Sequence, residues 1–334
     1  MFEDKKELIK LSQDLYNNSK LQFNNVSGDI AMRRLINEKL GQEPDATSID
    51  RYAWEKNKIE VFELLSVAVD AVLPVSIKNQ FDSLADVRNV AIGDKPVFNI
   101  EDPSLFRVGM IASGTTDLRR QELFGSSFTV DTDYYGAKTF VELERLLAGN
   151  VNWQSFINKL AESFTQKMGQ QIVDGFLKSY DVIKANRKHT GAYSEDKLIE
   201  VAQHVSAQSG GKGVAVYGSA SALRKVSKDV QLSDEMKNQL NRVGYLGNVA
   251  GLDLVQLPNV YRAVGKEEFV LDDNTLLILP SGEKIISIVL EGDTYIEETK
   301  EDTRNDLQKE FLTSKKYGLQ VAKLSVFGMY KINA

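Results

Sequence analysis

The chain has 334 residues, 42% of them hydrophobic and 26% charged, with a net charge of −6. This composition suits a chain with a packed core, and the acidic balance argues against a protein that coats nucleic acid, because such binding depends on an excess of Lys and Arg. The chain has no Cys, which excludes disulfides, thiolate zinc sites and cysteine nucleophiles. His189 and His204 lie too far apart along a helix to meet, so we expect no histidine-rich metal site.

The N-terminal segment "MFEDKKELIKLSQDLYNNSK" mixes charged with apolar residues and lacks a small-residue cleavage site. It therefore does not have the pattern of a secretory signal. No apolar run approaches the roughly 18 residues that a membrane-spanning helix needs, so none is expected.

The first 75 residues have the periodicity of helices. Within residues 49–73, apolar side chains recur at helical spacing, and we expect Pro74 to end that helix because proline lacks the amide hydrogen that continues the bonding pattern. The region predicts an arm of separate helices rather than a closed core.

Residues 92–135 alternate short apolar and polar runs around Gly109, Gly114 and Gly125. This pattern predicts a long β-hairpin with an irregular tip. A two-stranded hairpin is marginally stable in water unless it lies on another surface. We therefore expect a partner surface, on another subunit.

A single long helix is predicted from Asn152 to about Lys184, because apolar residues recur there at steps of three and four. At about 1.5 Å per residue such a helix would be about 50 Å long, which is typical of a strut. Gly169 and Gly175 within it predict either a bend or a close crossing by another segment.

Residues 195–282 alternate helices with the short apolar strands "GVAVY", "LDLVQL" and "TLLILP", which predicts a small α/β unit. The tail returns to strands, "KIISIVL" and "YGLQVAKLSVFGMYKI". The alternation of the second shifts phase near Ala322 and Lys323, as a bulge would require.

Gly244, Gly247 and Gly251 suggest a phosphate-binding loop at first sight. In a dinucleotide-binding motif, however, the glycines follow a strand and open a helix, whereas here a polar helix precedes them and a strand follows. The spacing also differs from GxGxxG. A structural loop is the better interpretation.

Other short motifs also fail. "GGKG" lacks the first glycine and the Ser or Thr of a P-loop, with Ser206 and Gly213 at those positions, and "YGSASAL" has Ala220 where a nucleophile elbow has its serine. The acidic stretch "LEGDTYIEETKEDTRNDLQKE" lacks the order of a calcium loop and favours a solvated face or a charge-matching contact. The sequence predicts no catalytic residue, cofactor or metal.

The order of elements resembles the major capsid protein of tailed bacteriophages (Caudoviricetes), whose fold is shared with encapsulins. The segments that carry the resemblance, over residues 50–334, are "SSFTVDTDYYGAKTFVELERLLAGN", "VAVYGSASALRKVSKD", "GYLGNVAGLDLVQLPN" and "EFLTSKKYGLQVAKLSVFGMYKI". The resemblance implies an α+β fold with an extended hairpin called the E-loop, a P-domain with a long spine helix and a β-sheet, and an inserted α/β A-domain. The implied limits are an N-terminal helical arm (1–75), the E-loop region (76–138), the P-domain with the spine helix (139–190), the A-domain (191–282) and C-terminal P-domain strands (283–334).

The resemblance also implies a function. Such proteins assemble into hexamers and pentamers of an icosahedral head that encloses double-stranded DNA without sequence-specific binding. Their partners are further copies, a portal, a scaffold and, in some cases, decoration proteins. The implied location is the virion capsid, assembled in the host bacterial cytoplasm, and the implied role is structural rather than enzymatic. Gly244, Gly247 and Gly251 would shape subunit packing around a capsomer axis.

One branch of the family links its subunits by isopeptide bonds between an E-loop lysine and an asparagine of a neighbour. Here residues 96–137 contain no lysine; Lys95 lies at the base of the loop, and the loop's cations are Arg107, Arg119 and Arg120. Because a guanidinium stays protonated, it is a poor nucleophile. We expect non-covalent locking, in which these arginines either contact acidic patches of a neighbour or simply aid solubility.

Three alternatives remain open at the level of sequence. An encapsulin-type nanocompartment shares the fold but is typically shorter. An α/β enzyme with residues 195–282 as its catalytic domain would need a nucleophile and base that the motifs do not supply. A nucleic-acid scaffold is disfavoured by the acidic balance.

Overall fold

The computed structural model describes residues 2–17, 22–23, 26–100, 106, 108–111, 113, 120–121, 125–228, 234–257, 259, 261–263, 266–299, 308–321 and 326–333. The fold is α+β, as predicted. The helices are α1 (Phe2–Asn17), α2 (Gly28–Lys39), α3 (Arg51–Phe81), α4 (Leu143–Leu147), α5 (Trp153–Ser179), α6 (Glu195–Gln208), α7 (Ala220–Lys228) and α8 (Asp234–Val243), with a 3₁₀ turn at Ala185–Arg187.

The strands begin with the N-terminal and hairpin segments β1 (Gln22–Phe23), β2 (Val26–Ser27), β3 (Ala85–Val90), β4 (Val97–Ile100), β5 (Ser126–Thr129) and β6 (Asp133–Glu142). The middle of the chain contributes β7 (Lys188–Gly191), β8 (Val214–Gly218), β9 (Asn248–Val249), β10 (Leu252–Gln256), β11 (Tyr261–Ala263) and β12 (Lys266–Phe269). The C-terminal strands are β13 (Thr275–Pro280), β14 (Ile286–Glu298), β15 (Gln308–Val321) and β16 (Gly328–Ile332).

The first three helices share a closed core with α5, so the expectation of separate helices without a core is wrong. Trp54 of α3 is fully buried and stacks on Trp153 of α5 with ring centroids 6.2 Å apart. Met32 of α2 and Phe311 of β15 are buried in the same cluster. Apolar faces of helices that are separate in sequence meet here, which periodicity within one helix does not reveal.

Helix α3 continues through Pro74 to Phe81, which corrects the expected end at this proline. Ile77 and Phe81, beyond the proline, are buried in the core between α3, α5 and the sheets. Burying two such side chains stabilises by about 3 kcal/mol or more, which offsets the roughly 3 kcal/mol that an internal proline costs a helix. With 31 residues, α3 is longer than the 27-residue α5.

The predicted long helix is confirmed as α5, although it ends at Ser179 rather than near Lys184. Its two glycines mark close crossings. An added Cβ would lie 3.2 Å from Phe81 Cζ at Gly169 and 2.9 Å from Val321 Cγ2 at Gly175. Small residues at these positions let α3 and β15 approach the helix backbone.

A four-stranded sheet has the order β3-β14-β15-β6, with β3 parallel to β14 and the other pairs antiparallel. Between Glu291 and Tyr295 the β14–β15 register shifts, so that three residues of β14 stand opposite Lys315. This is a special bulge with two extra residues on one strand, and its Gly292 has a φ of +65°. The bulge expected near Ala322 and Lys323 falls outside the described residues.

A six-stranded sheet has the order β7-β16-β13-β8-β10-β9. Its central strand β13 is buried on both faces, with Leu276 and Ile278 toward α6 and α7 and Leu277 and Leu279 toward α5. The final strand β16 lies in this sheet between β7 and β13. Its fully buried Met329 and Tyr330 point to opposite faces and need cover on both.

Candidate assembly surfaces

The base of the predicted hairpin is confirmed as the antiparallel pair β4–β5, in which Phe98 faces Phe128. Their rings stack with centroids 5.6 Å apart, and Phe98 is only 4% exposed. The guanidinium of Arg88 lies 4.1 Å from the centre of the Phe98 ring and also donates a hydrogen bond to the Val97 carbonyl at 3.1 Å. A small cluster with Val130 and Val289 attaches this base to β14.

The hairpin has an outgoing leg, residues 92–100, and a returning leg, residues 126–132. The carboxylate of Glu291 joins both legs to the four-stranded sheet. It accepts hydrogen bonds from the Gly93 amide at 2.8 Å, from the Lys316 ammonium at 2.7 Å and from the Thr132 hydroxyl. The residue is 3% exposed. The Lys316 hydrogen bond, followed by those from Thr132 and Gly93, lowers the pKa of Glu291 to about 2.

The bulge beside Glu291 is fixed from the opposite face of the sheet by α3. Asp70 accepts hydrogen bonds from the Thr294 amide at 2.8 Å and its hydroxyl at 2.6 Å. The buried Lys315 donates to Asp70 at 2.6 Å and to the Gly292 carbonyl at 2.6 Å. These bonds give hydrogen-bond partners to the Thr294 amide and hydroxyl and to the Gly292 carbonyl of the bulge.

Four apolar side chains beyond the β4–β5 pair are exposed. They are Phe106 (53%), Val108 (96%), Met110 (103%) and Ile111 (53%). They lie within six positions of one loop, and exposed apolar residues are candidates for contact with a partner. This agrees with the expectation that the hairpin has a partner surface elsewhere.

Of the three loop arginines, Arg120 is exposed, whereas Arg107 and Arg119 fall outside the described residues. Lys95, at the base of the loop, forms an exposed ion pair with Asp131 at 3.2 Å. The predicted contacts of the arginines with acidic patches therefore stay a prediction.

The glycine cluster lies in a connection between a helix and a strand, as the sequence indicated. Gly244 follows α8 with a φ of +92°, and Gly251 has a φ of +79° in the two-residue turn from β9 to β10. Gly247 has no positive φ; its carbonyl accepts a hydrogen bond from Leu254 at 2.9 Å. Positive φ, which glycine adopts without strain, explains two of the three glycines.

The "YGSASAL" segment joins β8 to α7, and its Ser219 hydroxyl accepts a hydrogen bond from the Ala222 amide at 3.1 Å, as a helix cap does. His189 packs against Tyr330 with ring centroids 4.8 Å apart, while His204 is exposed. These contacts are structural.

The acidic stretch is only partly a solvated face. Besides Glu291, the Glu298 side chain is 7% exposed and pairs with Lys309 at 2.6 Å and Lys58 at 2.9 Å. Strand β14 packs against α3 and pairs with β15, so its carboxylates form ion pairs with lysines of these two elements. Residues 300–307 of this stretch fall outside the described residues.

Among the residues that the structure describes, no group of three or more His, Asp or Glu side chains is arranged to hold a metal ion. In the same part of the chain, none of the helices combines the length and apolar character needed to cross a membrane.

Comparison with known proteins places the chain in a family. A sequence model of the family described as "SPbeta prophage-derived putative capsid protein YonB" matches residues 26–331, so the chain belongs to this family of phage capsid proteins. No curated protein matches the sequence.

Solved structures share the fold. The mature capsid of bacteriophage PhiM1 matches with a TM-score of 0.51 at 9% identity, over 75% of this chain and 86% of that chain. The capsid of the native GTA particle matches with a TM-score of 0.50 at 13% identity, over 78% and 91%. The tailed-phage capsid fold predicted from the order of elements is confirmed.

Proposed function

We propose that this chain is the structural major capsid protein of a tailed phage or prophage. Its copies assemble into pentamers and hexamers of an icosahedral shell around a double-stranded DNA genome, in the virion capsid after assembly in the host bacterial cytoplasm. Membership of a capsid-protein family and a capsid fold support this role. The family match favours the viral assignment over a cargo-holding nanocompartment.

The observation that carries the proposal is the exposed apolar loop. Phe106, Val108, Met110 and Ile111 lie beyond a hairpin base whose strands are only four residues long. The base packs on β14, but the four exposed side chains beyond it have no cover from the described residues, and we propose that another molecule covers them. A repeated contact between one patch of a copy and a different patch of the next closes into rings when the rotation fits.

Under this proposal, each element has a role. The four-stranded sheet and α5 correspond to the P-domain, and the six-stranded sheet with α6–α8 to the A-domain. The loop that holds Gly244, Gly247 and Gly251 shapes packing near the capsomer axis. Partners are further copies, a portal and a scaffold protein, with decoration proteins as additional candidates. A catalytic activity is not part of the proposal.

Locking of the shell is proposed to be non-covalent, because residues 96–137 contain no lysine to form an isopeptide bond. Arg107, Arg119 and Arg120 are proposed to bind acidic patches of a neighbour. Denaturing gels of assembled shells should show one band at the monomer mass; a ladder of multimers would reject this part.

The test is electron microscopy with sedimentation velocity of the purified full chain, beside the double variant Val108→Asp, Met110→Asp. We expect shells, tubes or rings from the unaltered chain and small species from the variant, since charges would have to be desolvated in the contact. The control is Val182→Asp, another strongly exposed valine (81%, against 96% for Val108), which lies three residues after the end of α5 and outside the loop.

The control variant should assemble as the unaltered chain does. An unaltered chain that stays monomeric or dimeric, also with co-expressed scaffold, would reject the capsid role. Assembly by the loop variant at the unaltered level would reject the loop as the contact.

A further inference from the structure

The inner face of the four-stranded sheet is the one toward α3, and the outer face is the opposite one. Glu291 lies where the two legs of the hairpin meet the outer face. The outgoing leg contributes the Gly93 amide, the returning leg contributes the Thr132 hydroxyl, and β15 contributes Lys316. Hydrogen bonds to an ionised carboxylate are roughly twice as strong as those between neutral groups. One buried charge therefore holds three elements together.

Two neighbouring lysines connect this point to α3. Consecutive side chains of a strand point to opposite faces of the sheet, so Lys315 points to the inner face and Lys316 to the outer face. Lys315 reaches Asp70 of α3 at 2.6 Å, while Lys316 reaches Glu291 at 2.7 Å. Residues 292–294, the bulge, lie between these two pairs and form hydrogen bonds with the inner one.

The bulge also contacts the outgoing leg directly. At Gly292 an added Cβ would lie 2.4 Å from Ile92 Cγ1, and the φ of +65° favours glycine. The Ile92 side chain of the outgoing leg thus lies close to the Gly292 backbone, next to the bond between the Gly93 amide and Glu291.

The described legs have other attachments as well. The Lys95–Asp131 pair is exposed, and such pairs contribute about 1 kcal/mol or less. The apolar cluster at the base contains three buried residues, Phe98, Val130 and Val289. Phe98 and Val130 come from the outgoing and the returning leg, so this cluster also joins both legs to β14, and Glu291 is the charged group that does so.

We propose that Glu291 is a latch: its charged carboxylate fixes the angle at which the hairpin leaves the sheet, and loss of the charge releases both legs while the sheet and helices stay folded. The latch rests on these contacts alone. Its consequence, which is to set where the loop meets a neighbouring subunit, rests on the proposed function.

Hydrogen–deuterium exchange of the full chain with Glu291→Gln tests the latch. Glutamine keeps the shape of the side chain but loses the charge-assisted bond to Lys316. We expect amide exchange in residues 92–100 and 126–132 to become about tenfold faster, because opening of this local unit is limited by the bonds to Glu291. Exchange in residues 286–290 and 308–321 should be unchanged.

Two further variants serve as comparison. Glu297→Gln changes another carboxylate of the same strand. This carboxylate accepts a hydrogen bond from Tyr295 at 2.8 Å and touches neither leg, so exchange in both legs should stay as in the unaltered chain. In Thr132→Val only the donor of the returning leg is lost, so exchange should increase mainly in residues 126–132.

Two results would overturn the latch. One is unchanged exchange of both legs in Glu291→Gln; the other is an equal acceleration over the whole chain, which would make Glu291 a general stabiliser. Electron microscopy of the same samples keeps the two proposals apart. If shells form but amide exchange of the legs is unchanged in Glu291→Gln, only the latch is rejected. If exchange of the legs is faster in Glu291→Gln but the chain never assembles, only the proposed function is rejected.

Discussion

The core around Trp54 and the cluster at the base of the hairpin both use stacked aromatic rings, but they differ in what surrounds the rings. Trp54 packs against Trp153, Phe62 and Phe311, which come from two helices and a strand, and its side chain is fully buried. Phe98 stacks on Phe128 from the paired strand, and few further residues cover the pair. The first region is stable through the chain's own contacts, whereas under the two proposals the second also depends on the Glu291 latch and on cover of the loop by a neighbouring subunit.

The largest expected effect is that of Trp54→Ala. Truncating a fully buried aromatic side chain leaves a cavity and should lower the free energy of unfolding by about 3 to 5 kcal/mol. Urea unfolding of the dissociated chain, followed by circular dichroism, measures this change. Tyr52→Ala, two residues earlier on α3 at a position that is 83% exposed, is the control and should stay within about 0.5 kcal/mol. A loss below about 1 kcal/mol for Trp54→Ala would contradict the assignment of this core.

A smaller and more local effect is expected for Phe98→Ala. Removing the transfer free energy of one buried Phe should cost about 1.5 to 3 kcal/mol, expressed as opening of the hairpin rather than of the whole chain. Faster amide exchange confined to residues 92–100 and 126–132 is the readout. Val97→Ala, which changes the adjacent, 52% exposed side chain, should leave exchange nearly unaltered. Global unfolding at lower urea concentration in Phe98→Ala would show that the hairpin is not a separate unit.

The smallest effect, and one that disappears in acid, concerns Glu291. Its pKa in the folded chain is about 2, below the ordinary value of 4.5, so the folded state binds fewer protons than the unfolded state. The stability that this carboxylate contributes is therefore fully present above pH 4.5 and is lost as the pH falls toward 2. The difference in hairpin exchange between the unaltered chain and Glu291→Gln should be constant at neutral pH and shrink over that interval.

The same pH series with Glu297→Gln provides the reference. That variant keeps the latch, so its hairpin should follow the unaltered chain at every pH. A difference between the unaltered chain and Glu291→Gln that persists unchanged at acid pH would show that the charge of Glu291 does not hold the legs.

Much of the local structure could be predicted from sequence, because it depends on neighbours along the chain. The apolar stripe of α5, the strands around residues 214–218 and 275–280, and the hairpin base all follow from periodicity. The latch could not be predicted. Glu291 is 198 residues from Gly93 and 159 from Thr132, and in the sequence it is one acid among many in a stretch that suggested a solvated face.

The sequence by itself determined the α+β class, the order of elements and the absence of thiol chemistry, since these depend on residue types and their spacing. Only the tertiary structure decided that α3 passes through Pro74, that the N-terminal helices close a core with α5, and that β16 returns to the six-stranded sheet. The physical reason is common to all three. Each local preference is worth a few kcal/mol at most, and burial of apolar surface between segments distant in sequence outweighs it.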